Sequence, residues 1–216
     1  KIGETTDVMM SVCFNSDGST VATGNGNGTV QMWDVARGIP IGEPLIDVAL
    51  GFNAVEFSHD GRGLIASIHD GTIFGWALPS RKPLFKPLTG VHTSHLLKLA
   101  FSPSGDRFAT ASTDGTSMVL EYPSGRVSGK AFGNDDQIGS VVFRPDGRTL
   151  IGATVNGAVS LWDVEKKVLV GTTPPGHSQA IIETDRSEDG RLLATLGRDQ
   201  VIRLWSFDSI HPLSSQ

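Results

Sequence analysis

Asn27-Gly28-Thr29-Val30-Gln31-Met32-Trp33-Asp34 is the stretch that decides the fold. Two turn residues lead into an alternating strand that closes on an aromatic and an acid. The phrase returns as Asp70-Gly71-Thr72-Ile73-Phe74-Gly75-Trp76 and as Asp114-Gly115-Thr116-Ser117-Met118-Val119-Leu120. It returns again as Asn156-Gly157-Ala158-Val159-Ser160-Leu161-Trp162-Asp163 and as Asp199-Gln200-Val201-Ile202-Arg203-Leu204-Trp205. The aromatic or its replacement falls at 33, 76, 120, 162 and 205, in steps of 43, 44, 42 and 43. A fixed period of this size marks a repeat architecture. A unit that short cannot bury both its faces alone and must stack on its neighbours.

Working outward from the phrase, each repeat reads as four short strands. An apolar strand ends in Phe at 8–14, 51–57, 96–101 and 138–143. A turn follows, as in Ser102-Pro103-Ser104-Gly105 or Arg144-Pro145-Asp146-Gly147, where Pro fixes its own φ and Gly tolerates a positive one. The second strand comes next, then the repeated turn and the third strand. A looser fourth strand, such as Ile39-Pro40-Ile41-Gly42-Glu43, carries proline, which suits an edge. With no helical periodicity anywhere, the chain reads as all-β: five four-stranded antiparallel blades of a β-propeller in a single domain. The blades span about 7–47, 48–91, 92–133, 134–176 and 177–216. Alternation on the inner strands points Val12 and Phe14, Val55 and Phe57, Leu99 and Phe101, and Val141 and Phe143 between blades.

These residues resemble the WD-repeat family of β-propellers over essentially the whole chain, although only Trp33-Asp34 and Trp162-Asp163 keep the name-giving dipeptide. The resemblance implies a hydrogen-bonded tetrad in each blade: His before the inner strand, Ser or Thr on the second, Asp in the following turn, Trp on the third. The fifth repeat matches all four with His177, Thr195, Asp199 and Trp205. The third has His92, Thr110 and Asp114 but Leu120 in place of Trp. The first has Thr23, Asn27 and Trp33; the second keeps Asp70 and Trp76; the fourth keeps Trp162 with Asn156 for the acid.

The resemblance also implies a partner-docking face, formed by the starts of the inner strands and the residue before each repeated turn acid. In register these are Met10, Asn53, His69, His95, Leu97, Thr113, Gln137, Ile182 and Arg198, with Val8, Gly26, Gly51, Gly139, Val155 and Ala180 completing the set. Apolar Met10, Leu97 and Ile182 among polar His69, His95 and Arg198 have the make-up of a docking patch. The expected function is a non-catalytic scaffold or sensor that binds a protein or peptide, or other domains of a longer chain. The alternative is a propeller that binds a small ligand or glycan, or hydrolyses one, in its central funnel.

Closure has two readings. Lys1-Ile2-Gly3-Glu4 resembles Pro40-Ile41-Gly42-Glu43, so residues 1–6 are either the closing outer strand of the fifth blade or the remnant of an earlier repeat. Ile210-His211-Pro212-Leu213 is the competing fourth strand. If the ring is incomplete, the five repeats belong to a larger ring or assemble as an oligomer.

The remaining chemistry is sparse. A net charge of −5 with scattered Lys and Arg argues against nucleic acid, and no apolar run is long enough to span a bilayer. Cys13 is the only cysteine, which fits a reducing, cytoplasmic setting and leaves no intrachain disulfide. Gly24-Asn25-Gly26-Asn27-Gly28 lies between strands, so it lacks the helix N-terminus that holds phosphate. His69, His92 and His95 have no cysteine cluster beside them to complete a zinc site. Glu56, Glu183 and Asp185 do not recur from blade to blade as a catalytic pair would require, and Asp135 and Asp136 read as solvated. No cofactor, metal or catalytic residue is expected.

Overall fold

The structure, a computed structural model, describes residues 8–129, 131–133, 136–187, 189 and 191–207. Both candidate closing segments, Lys1 to Glu4 and Ile210 to Leu213, lie outside the described residues, as does Asp135. Among the described residues every element is a β-strand and every pairing between strands is antiparallel.

The first sheet runs in the order β1 (Met9–Phe14), β2 (Thr20–Asn25), β3 (Val30–Asp34), β4 (Ile39–Pro40). The second is β5 (Phe52–Phe57), β6 (Gly63–Ile68), β7 (Ile73–Ala77), β8 (Lys82–Pro83). The third joins β9 (Leu96–Phe101), β10 (Arg107–Ser112), β11 (Thr116–Glu121) and β12 (Phe132–Gly133). The fourth holds β13 (Ile138–Phe143), β14 (Thr149–Thr154), β15 (Val159–Asp163) and β16 (Val168–Thr172). The fifth has three described strands, β17 (Ile181–Arg186), β18 (Leu192–Gly197) and β19 (Ile202–Ser206). The fourth strands of the first three sheets are two residues long. This follows from Pro40 and Pro83, which cannot donate to a ladder, and suits an outer edge.

Contacts divide the chain into two compact units: Lys1–Leu99 with Tyr122–Arg126, and Ala100–Glu121 with Val127–Gln216. Among the described residues the first unit has one core between its blades. Ala22, Val30 and Met32 meet Phe52, Val55, Phe57, Leu64 and Trp76, all buried. The second has two. Ala109, Val119 and Phe132 pack with Val141, Phe143 and Trp162, and Ile151, Ala153, Val159 and Leu161 pack with Ile181 and Leu193. Each core therefore lies between the faces of successive sheets, as blade stacking requires.

The turns after the inner strands are tied by their own side chains. Ser58 Oγ donates to Asp60 Oδ1 at 2.6 Å and Ser187 Oγ to Asp189 Oδ1 at 2.6 Å. Hydroxyl donation holds Asp17, Asp60, Asp106 and Asp189 below the usual carboxylate range.

The inner strands depart from the sequence expectation at one point. Val55, Phe57, Leu99, Phe101, Val141 and Phe143 are buried, but Val12 and Phe14 are 64% and 60% exposed. Their alternation is as expected, but within the first unit that face of the first blade is not buried.

Candidate functional site: the inner-strand bulges and the facing turns

The inner strands of four blades share one irregularity. The register shifts between Met9 and Ser11, Phe52 and Ala54, Ile138 and Ser140, and Ile181 and Glu183. The residues left out of the ladder are Met10, Asn53, Gly139 and Ile182. A bulge bends its strand and re-aims the extra side chain. Sequence reading found these positions by repeat register. It missed the bulge, because nothing in the local composition marks it.

A second feature recurs beside each bulge. The residue before the repeated turn donates its amide to the carbonyl two residues upstream of the bulged one. The pairs are Gly26 to Val8 at 2.7 Å, His69 to Gly51 at 3.2 Å, Val155 to Gln137 at 3.1 Å and Arg198 to Ala180 at 2.8 Å. Strand start and turn are thereby locked into one rim in each of these blades.

Within the first unit the rim residues also meet across blades. The Asn53 amide lies 3.2 Å from His69 Nδ1 and donates to the Leu96 carbonyl at 3.0 Å. The rings of His69 and His95 meet at 3.8 Å between centroids, tilted by 40°. Met10, His69, His95 and Leu97 are exposed, and Asn53 is half-buried. In the second unit Gln137, Ile182 and Arg198 are exposed and Thr113 is half-buried.

The polar tetrad residues of the fifth blade form one hydrogen-bonded chain. Asp199 Oδ1 and Oδ2 lie 3.0 and 3.1 Å from His177 Nδ1, and His177 Nε2 lies 2.7 Å from Thr195 Oγ1. The Trp205 indole donates to Thr195 Oγ1 at 2.9 Å. His177 and Thr195 are buried. The His177 hydrogen bond, followed by the amides of Ser178 and Val201, holds the Asp199 carboxyl below its ordinary range. The first blade keeps the last link, with the Trp33 indole donating to Thr23 Oγ1 at 3.0 Å. In the fourth, Gly152 occupies the threonine position, paired with Ser160 and lying beneath the Trp162 ring, and Trp162 Nε1 has no hydrogen-bond partner among the described residues.

This chain predicts a specific acid response. The folded-state pKa of Asp199 is depressed, so its contribution is present above the unfolded carboxylate range and is lost as pH falls through the folded value. Melting temperature should fall as pH drops below about 4, and the drop should be smaller in Asp199→Asn. Replacing His177 by Ala should cost about 1–3 kcal/mol at pH 7, because Thr195 and Asp199 lose a buried partner. Denaturant unfolding at several pH values measures both.

A separate groove of about 310 Å³ lies in the first unit, lined by Met32, Ile41, Phe57, Leu78 and Pro79 with Arg62 and Arg81. It sits beside the turns at Asn15 and Gly61, and no motif in the sequence announced it. Cys13 is half-buried on β1, and burial, with the charge of Glu56, pushes its thiol up. Glu56 is on the second blade, whereas Glu183 and Asp185 lie exposed on the fifth. Among the described residues no three His, Cys, Asp or Glu side chains converge as a metal site would need.

Five antiparallel blades with these turns and this tetrad define a protein of the WD-repeat β-propeller class. The sequence model described as "WD domain, G-beta repeat" matches residues 2–34, 85–119, 126–163 and 168–206, and the chain belongs to this family. It is 26% identical to autophagy-related protein 16 of Arabidopsis thaliana over 192 residues, 88% of this chain and 37% of that protein. It is 26% identical to a guanine nucleotide-binding protein subunit beta of Oryza sativa subsp. japonica over 204 residues, 86% of this chain and 52% of the relative. It is 26% identical to pre-mRNA-processing factor 19 homolog 2 of Arabidopsis thaliana over 198 residues, covering 90% and 37%. The chain thus spans about half or less of the length of these relatives.

Proposed function

We propose that this chain is a non-catalytic scaffold that binds a protein or peptide segment on its inner-strand rims: Met10, Asn53, His69, His95 and Leu97 in the first unit, and Thr113, Gln137, Ile182 and Arg198 in the second. The recurrent bulge carries the reading. Blade stacking and turn closure do not need the side chains of Met10, Asn53 and Ile182, yet the bulge sets each of them outside its ladder at the same place. Exposed apolar groups beside Arg198, His69 and His95 supply the mixture that desolvates at a docking patch. Repeats of this family typically serve as interaction scaffolds, and one relative is by name a subunit of a guanine nucleotide-binding protein. The partner is a protein or peptide and not nucleic acid, given the net charge of −5.

Site-specific photo-crosslinking in cells tests the face. A photoreactive residue at Asn53 or Ile182 should yield discrete protein adducts. The same residue at Arg62, beside the opposite turns, should yield none. Leu97→Asp combined with Arg198→Glu should abolish the adducts while the melting temperature is retained. Adducts that survive the double change, or that form equally at Arg62, refute the assigned rim.

A further inference from the structure

The groove beside the turns at Asn15 and Gly61 is where the core between the first two blades reaches the surface. Met32 and Phe57 belong to that core and are buried, Leu78 packs against it, and Ile41 stands exposed at the edge. Arg62 and Arg81 line the same groove, and every lining residue lies in the first unit. The groove is remote from the rim of Asn53 and His69, since Arg62 precedes β6 and His69 follows it.

The two cations stand where acids are few. From Gly61 to Gly90 the chain carries Arg62, Arg81, Lys82 and Lys86 against one acid, Asp70. Asp70 lies at the far end of β6, where its Oδ1 accepts from the Thr72 amide at 2.9 Å. Asp60 is beside Arg62, but its Oδ1 accepts from Ser58 Oγ at 2.6 Å and from the Arg62 amide at 3.0 Å. Arg81 donates to the Glu43 carbonyl, which uses one of the five N–H donors of its fork. Arg81 is also held where glycine is the easier residue. Its φ is 60, and the same turn position is Gly38 at φ 68 in the first blade and Gly125 at φ 70 in the third. The fourth blade puts Lys167 there, reaching over Gly129.

We propose that this groove binds a small monocarboxylate with an apolar body, the carboxylate held by Arg62 and Arg81 and the body resting on Met32, Ile41, Phe57 and Leu78. Its volume of about 310 Å³ falls at the small end of pockets that hold small ligands, which run from about 300 to 1,000 Å³. The planar fork of a guanidinium matches the two oxygens of a carboxylate. A phosphate dianion fits less well, because Asp60 beside Arg62 repels a second negative charge. The apolar body takes from water the edge of the core that a bare anion would leave wet.

Titration of 3-phenylpropionate into the purified 216-residue chain, followed by backbone amide NMR, tests this. The expected result is saturable shifts at Ile41, Gly61, Arg62 and Leu78 and none at Asn53 or His69. The alcohol 3-phenylpropanol, with the same body and no charge, should bind about tenfold more weakly, and acetate should not saturate. Arg81→Gly keeps the left-handed turn, as Gly38 and Gly125 do, and should weaken 3-phenylpropionate by about tenfold. Circular dichroism checks that this variant folds, and Arg62→Gln carries the same test if it does not. Absence of saturable binding overturns the proposal. So does an alcohol that binds as tightly as the acid, and so does undiminished affinity in the folded variant.

Discussion

Replacing Trp162 by alanine is expected to destabilise the second unit by about 3–5 kcal/mol, the usual cost of emptying a buried aromatic site. The ring is 1% exposed and packs on Phe132 at 6.3 Å between centroids, within the core that includes Val141, Phe143 and Leu150. Relaxation cannot fill the hole cheaply, because Gly152 beneath the ring has no side chain to move in. The conservative change to phenylalanine separates packing from hydrogen bonding. The Trp162 indole N–H has no partner among the described residues, so Trp162→Phe removes an unsatisfied buried donor, and this offsets part of the lost area. Trp205→Phe instead takes from Thr195 the donor that reaches it at 2.9 Å. Trp162→Phe should therefore cost less than Trp205→Phe, by about 1 kcal/mol. Chemical denaturation of the two variants beside the parent decides it. Equal losses would mean that the Trp162 N–H is satisfied in solution.

The contrast shows which parts of this molecule the sequence could reveal. The 43-residue period, the turn residues and the alternation on inner strands were legible because each is a local pattern with a mechanical meaning. The tetrad chain His177–Thr195–Asp199–Trp205 could be placed by counting from one repeat to the next. The same counting flagged Asn156 as a departure in the fourth blade but passed over Gly152. That glycine looks unremarkable inside a strand, and only the Trp162 ring lying over it gives it meaning. The bulges at Met10, Asn53 and Ile182 were invisible for a related reason: a register shift is a property of two strands together. The exposure of Val12 and Phe14 was hidden most fully. Val12 and Phe14 have the same apolar pattern as Val141 and Phe143, and alternation says which side a residue faces, not whether anything lies on that side.

Gly157 gives the sharpest test of how far one repeat depends on the next. The residue has φ +82, a conformation that costs an L side chain about 1–2 kcal/mol. Its carbonyl accepts from the amides of Gly176 at 2.9 Å and His177 at 3.2 Å, fastening the fourth blade's turn to the segment entering the fifth. An added Cβ would overlap the His177 carbonyl, and backbone cannot step aside as a side chain can. Gly157→Ala should therefore lose the backbone term and a further 1–3 kcal/mol for overpacking, about 2–5 kcal/mol in all. The damage should also travel. Displacing His177 moves the ring that links Asp199 and Thr195, so Gly157→Ala should weaken the acid response assigned to Asp199, which lies in the next blade. Gln200 provides the control at the same point of the repeat. It holds φ 64 as a non-glycine residue, so Gln200→Gly relieves that strain while adding unfolded-state entropy, and the net change should stay within about 1 kcal/mol. Thermal unfolding across pH 3 to 7 measures both variants. If Gly157→Ala melts with the parent, the His177 segment can move independently of the turn. Blade-to-blade coupling would then rest on side-chain packing alone.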